Sequence, residues 1–362
     1  MLPSSIIFCH IRYIKGILFF LVAFNLSFSQ EITTLGNDAE TIDSLKAAYK
    51  TAENDSLRSL FLFRLAGYNK KNAQDGEFKK HLDLAIHYAK DNEFLLDYSG
   101  YFRALQYLNQ ADIEKFIAEI SKTQKKLKKY NNKKSIQLQL IILQNLSAYY
   151  LNEIKHEKSI DILIEEAIPL AIKSNNNLLL ASFYKSIADS FYSLDQFNKA
   201  EQYYDKALET FINTNTPEKN FLAMCYIYAA NNLLELGKFT KAAGLLREAE
   251  GILNESPQAN FKSHFFYVMG EYYFFQKQFE NALKNYDLGF KYLNETNNEY
   301  LILSLNISKG EALYELKRYN ESYNILSKLY AKTKLPALHR VNFYRVYANT
   351  LEKLKKYDEA LN

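Results

Sequence analysis

The chain has 362 residues, enough for two ordinary domains or one extended repeat array, and its 48% apolar content excludes wholesale disorder. Only 11 glycines and 5 prolines punctuate it, which favours helices over many short strands, and 29 tyrosines and 25 phenylalanines supply bulk in the absence of tryptophan. The formal charge of +4 falls to about +2 once two N-terminal cations are set aside, a balance that asks for neither nucleic acid nor a membrane surface.

The chain begins with a segment unlike the rest. Residues 1–15 carry Arg12, Lys15 and no acidic side chain, and an apolar run follows over 16–24. Ser27 and Ser29 then place small side chains two apart just before Gln30. A basic start, a short apolar run and a small-x-small exit predict a cleaved signal peptide over 1–29. The alternative is an uncleaved signal-anchor, but the run is shorter than the ~20 residues that span a bilayer. Cleavage would leave Cys225 as the one cysteine and no internal disulfide, so packing must hold the exported chain.

Past the leader, helix pairs are expected at 58–90 and 94–130 on weak patterns. The run KTQKKLKKYNNKK holds seven lysines between 122 and 134 and reads as a solvated helix end. A further pair runs through 143–167, with Leu146, Ser147, Tyr150 and Ser159 in alternating large and small positions.

From about residue 181 the pattern sharpens. Tyr184, Ile187, Ala188 and Phe191 fall at i, i+3, i+4 and i+7, one face of a helix. Phe197, Ala200, Tyr204, Ala207 and Leu208 form a second face, with a tight turn at 194–196 between them. The order returns at Tyr226, Ala230, Leu233, Gly237, Phe239, Ala242, Leu246 and Ala249, and again at Phe266, Gly270, Tyr273, Phe279, Ala282, Tyr286 and Gly289. It returns twice more, at Gly310, Leu313, Tyr319, Ser322, Leu326 and Leu329, and at Tyr344, Ala348, Leu351, Tyr357 and Ala360. The small residues of the second helices sit at 200, 242, 282, 322 and 360, in steps of 42, 40, 40 and 38.

On these residues the chain resembles a tetratricopeptide-repeat array: a large residue, a small one and a tyrosine in the first helix, then aromatic, alanine, aromatic and alanine in the second. The resemblance implies an all-α fold, an α-solenoid of stacked antiparallel helix pairs over 136–362, with degenerate helical repeats over 30–135 and an incomplete last repeat. Each pair exposes an apolar face that only its neighbour covers, so the rings and alanines are packing residues. The period exceeds the usual 34 or so, and we place the surplus in the joints NTNTPEK and NESPQAN. The family's tryptophan is replaced by tyrosine or phenylalanine.

No catalytic constellation stands out, and no cofactor or metal is expected. GKFTK at 237–241 lacks the upstream glycine of a phosphate loop, and His156-Glu157 has no second histidine at helical spacing for zinc. His81 and His87, six apart on one helix, read as solvated.

In tetratricopeptide arrays the first helices line a groove that takes an extended peptide or a partner's helix. The resemblance makes Lys185, Asp189, Tyr192, Asn231, Tyr267, Glu271, Phe274, Glu311, Tyr314, Arg345 and Asn349 the groove residues. Tyr267, Phe274 and Tyr314 lie off the packing stripe, so packing alone does not account for them. The carboxylate clamp of some relatives fits poorly, because Asp189 and Tyr228 stand where it needs other side chains. The expected partner is a basic, partly apolar peptide or protein, not nucleic acid.

Residues 42–71 resemble the opening of exported tetratricopeptide regions in bacterial sensor histidine kinases and helix-turn-helix regulators. The resemblance implies an exported protein of the periplasm or cell envelope. Two readings follow: a non-enzymatic adaptor, or a sensory ectodomain whose output region lies beyond Asn362.

Overall fold

The computed structural model describes residues 39–109, 112–214, 219–255, 259–293, 299–332 and 337–358. The expected signal peptide and the small position Ala360 lie outside the described residues. Every regular element among the described residues is a helix. In order these are α1 (Ala39–Lys50), α2 (Asp55–Lys71), α3 (Asp75–Tyr88), α4 (Glu93–Asn109), α5 (Ile113–Leu127), α6 (Lys133–Asn152), α7 (156–173) and α8 (Asn177–Ser193). They continue as α9 (Phe197–Ile212), α10 (Lys219–Glu235), α11 (Phe239–Glu255), α12 (Ala259–Phe275), α13 (Phe279–Leu293), α14 (Glu299–Glu315), α15 (Tyr319–Lys332) and α16 (Ala337–Lys353). The chain divides into two compact units, 1–194 and 195–362.

In the first unit several helices start at a polar cap. Asn54, Asp112, Asn132 and Asn176 each accept a backbone N–H three residues on, filling a donor that the first turn leaves open. The core is aromatic, with Phe63 stacked on Phe102 at 4.9 Å and both rings shut off from solvent. Leu138 and residues 140–143 are all buried, so α6 is enclosed on every side, with the polar Ser135, Gln139, Asn145 and Ser147 buried too. Helix α7 widens into a π-turn over Leu163–Ala167 just ahead of Pro169. The wider turn makes room for a ring that would otherwise meet the carbonyl four residues back. Ser147 and Ser159, read as small positions, touch through their hydroxyls at 2.7 Å.

Two expectations for this unit need correction. His81 is half-buried, with Nδ1 2.8 Å from Asn69 Oδ1, and burial lowers its pKa, so it is not a solvated side chain. The lysine run is only partly solvated. Lys126 and Lys129 reach the buried Asp97 at 2.8 and 3.1 Å, Tyr130 donates to it at 3.0 Å, and Lys128 meets Glu166 at 2.9 Å. Burial alone would raise the Asp97 pKa, but these donors outweigh it and hold the carboxyl below its ordinary value.

The second unit shows why the small residues recur. Ala242, Ala282 and Ser322 are fully buried where two helices of a pair approach, and Ala200 is fully buried as well. A Cβ on Gly270 would overlap the ring of Tyr286, and one on Gly310 would come within 2.9 Å of Leu326. Ser263 and Ser322 close similar crossings by donating to the carbonyls of Gly289 and Gly310, at 2.9 and 2.8 Å.

The turns inside the pairs share one geometry. Asp195, Gly237, Lys277, Lys317 and Lys355 all adopt φ between 56° and 67°, two residues past a helix end. In four of them the next amide bonds back five residues, as from Gln278 to the Tyr273 carbonyl at 2.9 Å. This is a Schellman closure, and only one of the five positions uses glycine. The turns follow each other in the same steps as the small residues.

The surplus length is not confined to the joints. α10, α12, α14 and α16 each run 17 residues, so the extra residues lengthen the helices themselves.

Candidate functional site

In the second unit α10 packs on α12, α12 on α14, and α14 on α16. These first helices therefore form one layer, and α10, α12 and α14 each also touch their own second helix. Residues three and four apart share a helix face. On α12 this gives a stripe of His264, Tyr267, Glu271 and Phe274; on α10 it gives Tyr228, Asn231 and Glu235; on α14 it gives Ser304, Ser308, Glu311 and Tyr314.

Contacts between helices tie the stripes together. The Tyr228 ring lies 4.7 Å from His264, and His264 lies 6.0 Å from Tyr267 in an edge-on arrangement. Tyr286, fully buried on α13 behind this layer, donates its hydroxyl to Glu271 Oε1 at 2.7 Å. Its ring occupies the space a Cβ on Gly270 would fill, so the ring reaches this position because residue 270 has no side chain. Ser308 of α14 also donates to Glu271.

Glu271 has an unusual environment. It is half-buried, in a densely packed part of the layer. Burial, reinforced by the negative charges of Glu311 and Glu235, pushes its pKa up to about 7 against the pull of the two hydroxyl donors. Among the described residues no lysine or arginine pairs with it. Glu311, by contrast, is compensated by Arg345 Nη2 at 2.7 Å. The Tyr286 phenol is raised by burial and by the Glu271 charge, so it stays a donor.

The other expected groove residues fall in different settings. Lys185 is buried, and its Nζ meets Asp189 at 2.7 Å across one turn of α8, so it is not an outward side chain. Its long stem lets the ammonium fold back onto Asp189, which itself is half-buried. Tyr192 and Asn231 are half-buried, as is Asn349 on α16, while Arg345 is exposed and held by Glu311. Tyr267 and Phe274 do pack, contrary to expectation. Both rest against the core formed by α12 to α14, with Phe274 5.3 Å from Phe279. Tyr314 lies 5.5 Å from Tyr319. Large rings beside a packing stripe can lean back over the following turn and still keep one side in water.

Sequence spacing pointed to Tyr267, Glu271 and Phe274 but missed Tyr228, His264, Tyr286, Ser308 and Glu235 around them. The 264–267–271–274 spacing was a readable signal for His264. Nothing local marks Ser308 or Tyr286 as partners of Glu271, because that depends on how neighbouring helices slide.

A second feature of this unit, a cleft between α13, α14 and α15, is polar but internally balanced. Arg318 holds Glu321 through two bonds of 2.7 Å, and Lys309 pairs with Asp287. Among the described residues no group of three or more histidines, cysteines or carboxylates is close enough to hold a metal ion.

Comparison with known proteins agrees with this architecture. The tetratricopeptide-repeat family model matches residues 179–255. No curated protein matches the chain. Among solved structures, a Rap protein complexed with competence and sporulation factor is 16% identical with a TM-score of 0.61, over 96% of this chain and 94% of its own. Aspartyl phosphate phosphatase F from Bacillus subtilis gives 15% and 0.59, over 99% and 92%. NprR in complex with its cognate peptide NprX gives 15% and 0.57, over 89% and 88%. At such identity the likeness speaks for the fold. Residues 179–255 carry tetratricopeptide repeats, and the helix pairs of the chain have the fold of tetratricopeptide-like helical solenoids.

Proposed function

We propose that this chain is a non-enzymatic tetratricopeptide scaffold that binds a peptide or protein segment on the first-helix layer of its second unit. The observation that carries the reading is the row of half-buried rings and polar side chains on α10, α12 and α14, from Tyr228 through Tyr267 and Phe274 to Tyr314. Aromatic side chains give large contact area with few rotors to freeze, and amides and carboxylates between them can read a backbone or a charge. Solved proteins of the same fold hold peptides, among them NprR with NprX and a Rap protein with competence and sporulation factor, which supports a peptide ligand here. The carboxylate of Glu271, beside these rings, favours a basic, partly apolar ligand. The signal-like segment over 1–29 supports action in the cell envelope after export.

The test is selection of a random 12-residue peptide library on the full chain. The selected peptides should share a motif and bind in solution, and Asn231→Ala and Tyr314→Ala should each weaken them by ~1 kcal/mol or more. Selection of nothing, or undiminished binding by both variants, overturns the reading. Export is checked separately by terminal sequencing of protein from an envelope fraction, which should begin near Gln30; an intact Met1 on cytosolic protein overturns it.

A further inference from the structure

Glu271 is a half-buried carboxylate with its oxygens held in place and no counter-cation. Tyr286 and Ser308 donate to it, fixing its position without neutralising it. Arg345 of α16 is spent on Glu311, and Lys309 of α14 on Asp287. A carboxylate packed in this way is stabilised most by a positive charge brought in from outside. One turn before Glu271 on the same face stands Tyr267, then His264, and across the helix boundary Tyr228. Tyr300, at the start of α14, has its hydroxyl end packed near Tyr228 while 43% of the residue stays exposed. Ring faces attract cations, and a carboxylate beside them fixes the charge.

We propose that Tyr267 and Glu271, flanked by His264 and Tyr228, form a subsite for the ammonium or guanidinium group of a lysine or arginine in the bound peptide. The inference rests on the peptide-binding reading and specifies what the ligand must carry. It also couples binding to protons. The cation pairs with the ionised carboxylate, so affinity rises with pH as Glu271 loses its proton. The other groups facing Glu271 are Glu235 on α10, Ser308 and Glu311 on α14, the latter held by Arg345 of α16, and Tyr286 on α13. Neither serine nor the raised Tyr286 phenol changes charge in this range.

The experiment uses 12-residue peptides selected from a random library on the full chain at pH 7.5. Selected peptides should carry lysine or arginine at one fixed position. Replacing that residue by norleucine or citrulline should weaken binding about tenfold or more. Glu271→Gln keeps a carbonyl oxygen for the Tyr286 hydroxyl and presents an amide N–H that the Ser308 hydroxyl can accept, and should bind the basic peptide and its neutral analogue equally. Tyr228→Leu, away from the buried core, should weaken the basic peptide more than the neutral one. From pH 6 to pH 8 the wild-type affinity for the basic peptide should rise and that of Glu271→Gln should change less. Selected peptides with no basic position, or a Glu271→Gln protein that still distinguishes basic from neutral, overturn this inference and leave the peptide reading standing. Selection of no peptide overturns both.

Discussion

Gly270 and Gly251 offer two glycine-to-alanine changes in helix interiors with opposite expected signs. In an exposed helix interior, alanine in place of glycine is worth ~0.5–1 kcal/mol, because glycine loses more backbone freedom on folding. Gly251 on α11 meets nothing within 4 Å of an added Cβ, so Gly251→Ala should gain close to that amount. At Gly270 the same methyl would overlap Cε1 and Cδ1 of Tyr286 and lie 3.0 Å from Cζ. Tyr286 is fully buried and tied by its hydroxyl to Glu271, so the ring has no vacant space to move into. Overpacking of this kind costs ~1–3 kcal/mol, which cancels or outweighs the propensity gain. Gly270→Ala should therefore be destabilising by up to ~2 kcal/mol by urea unfolding. Native-state amide exchange should speed up mainly over 259–315, because damage in stacked repeats stays near its source. On a Tyr286→Leu background, itself destabilised, adding Gly270→Ala should cost little or nothing, since the clash partner is gone. If Gly270→Ala stabilises as much as Gly251→Ala, the pairing of α12 with α13 is not as described.

Three further outcomes are expected. Lys277 sits at φ 60° in a Schellman turn, so Lys277→Gly should raise stability by ~0.5–1 kcal/mol in urea, and a loss would contradict the shared turn geometry. Glu271 is raised from 4.5 to about 7 by burial, so its contribution to stability is intact below about 4.5 and is lost as pH rises through about 7. Glu271→Gln should therefore be more stable than wild type at pH 8, by at most ~3 kcal/mol, with the gap nearly closed at pH 5. A gap independent of pH in thermal unfolding would refute the assignment. Asp97 shifts the other way: its donors stabilise the ionised form, so its contribution is present above the unfolded pKa and lost as pH falls through the lowered folded value. Asp97→Asn should cost ~2 kcal/mol at pH 7 and less in acid, and an equal cost at both pH values would count against the network.

The helix pairs from residue 181 onward were readable because their small and large residues repeat at fixed offsets, and the same offsets reappear in the turns at Asp195, Gly237, Lys277 and Lys317. The earlier pairs were harder, since α2, α5 and α6 are marked by Asn and Asp caps and the pairs lack a shared aromatic pattern. The site was readable only along single helices. Tyr267, Glu271 and Phe274 follow from spacing within α12, whereas the Tyr286–Glu271 bond, the Ser308 donor and the Arg345–Glu311 pair depend on register between helices. That register cannot be read from spacing when the repeat length itself varies. Lys185 misled for a related reason: its outward position on the helix says nothing of whether its stem folds back onto Asp189.

Amide hydrogen exchange of the full chain, with and without a library-selected 12-residue peptide at saturation, tests the central claim most directly. Binding on the first-helix layer predicts slowed exchange in α10, α12 and α14, over 219–235, 259–275 and 299–315, with α11, α13 and α15 nearly unchanged. Slowing confined to the second helices, or to the first unit, would contradict it.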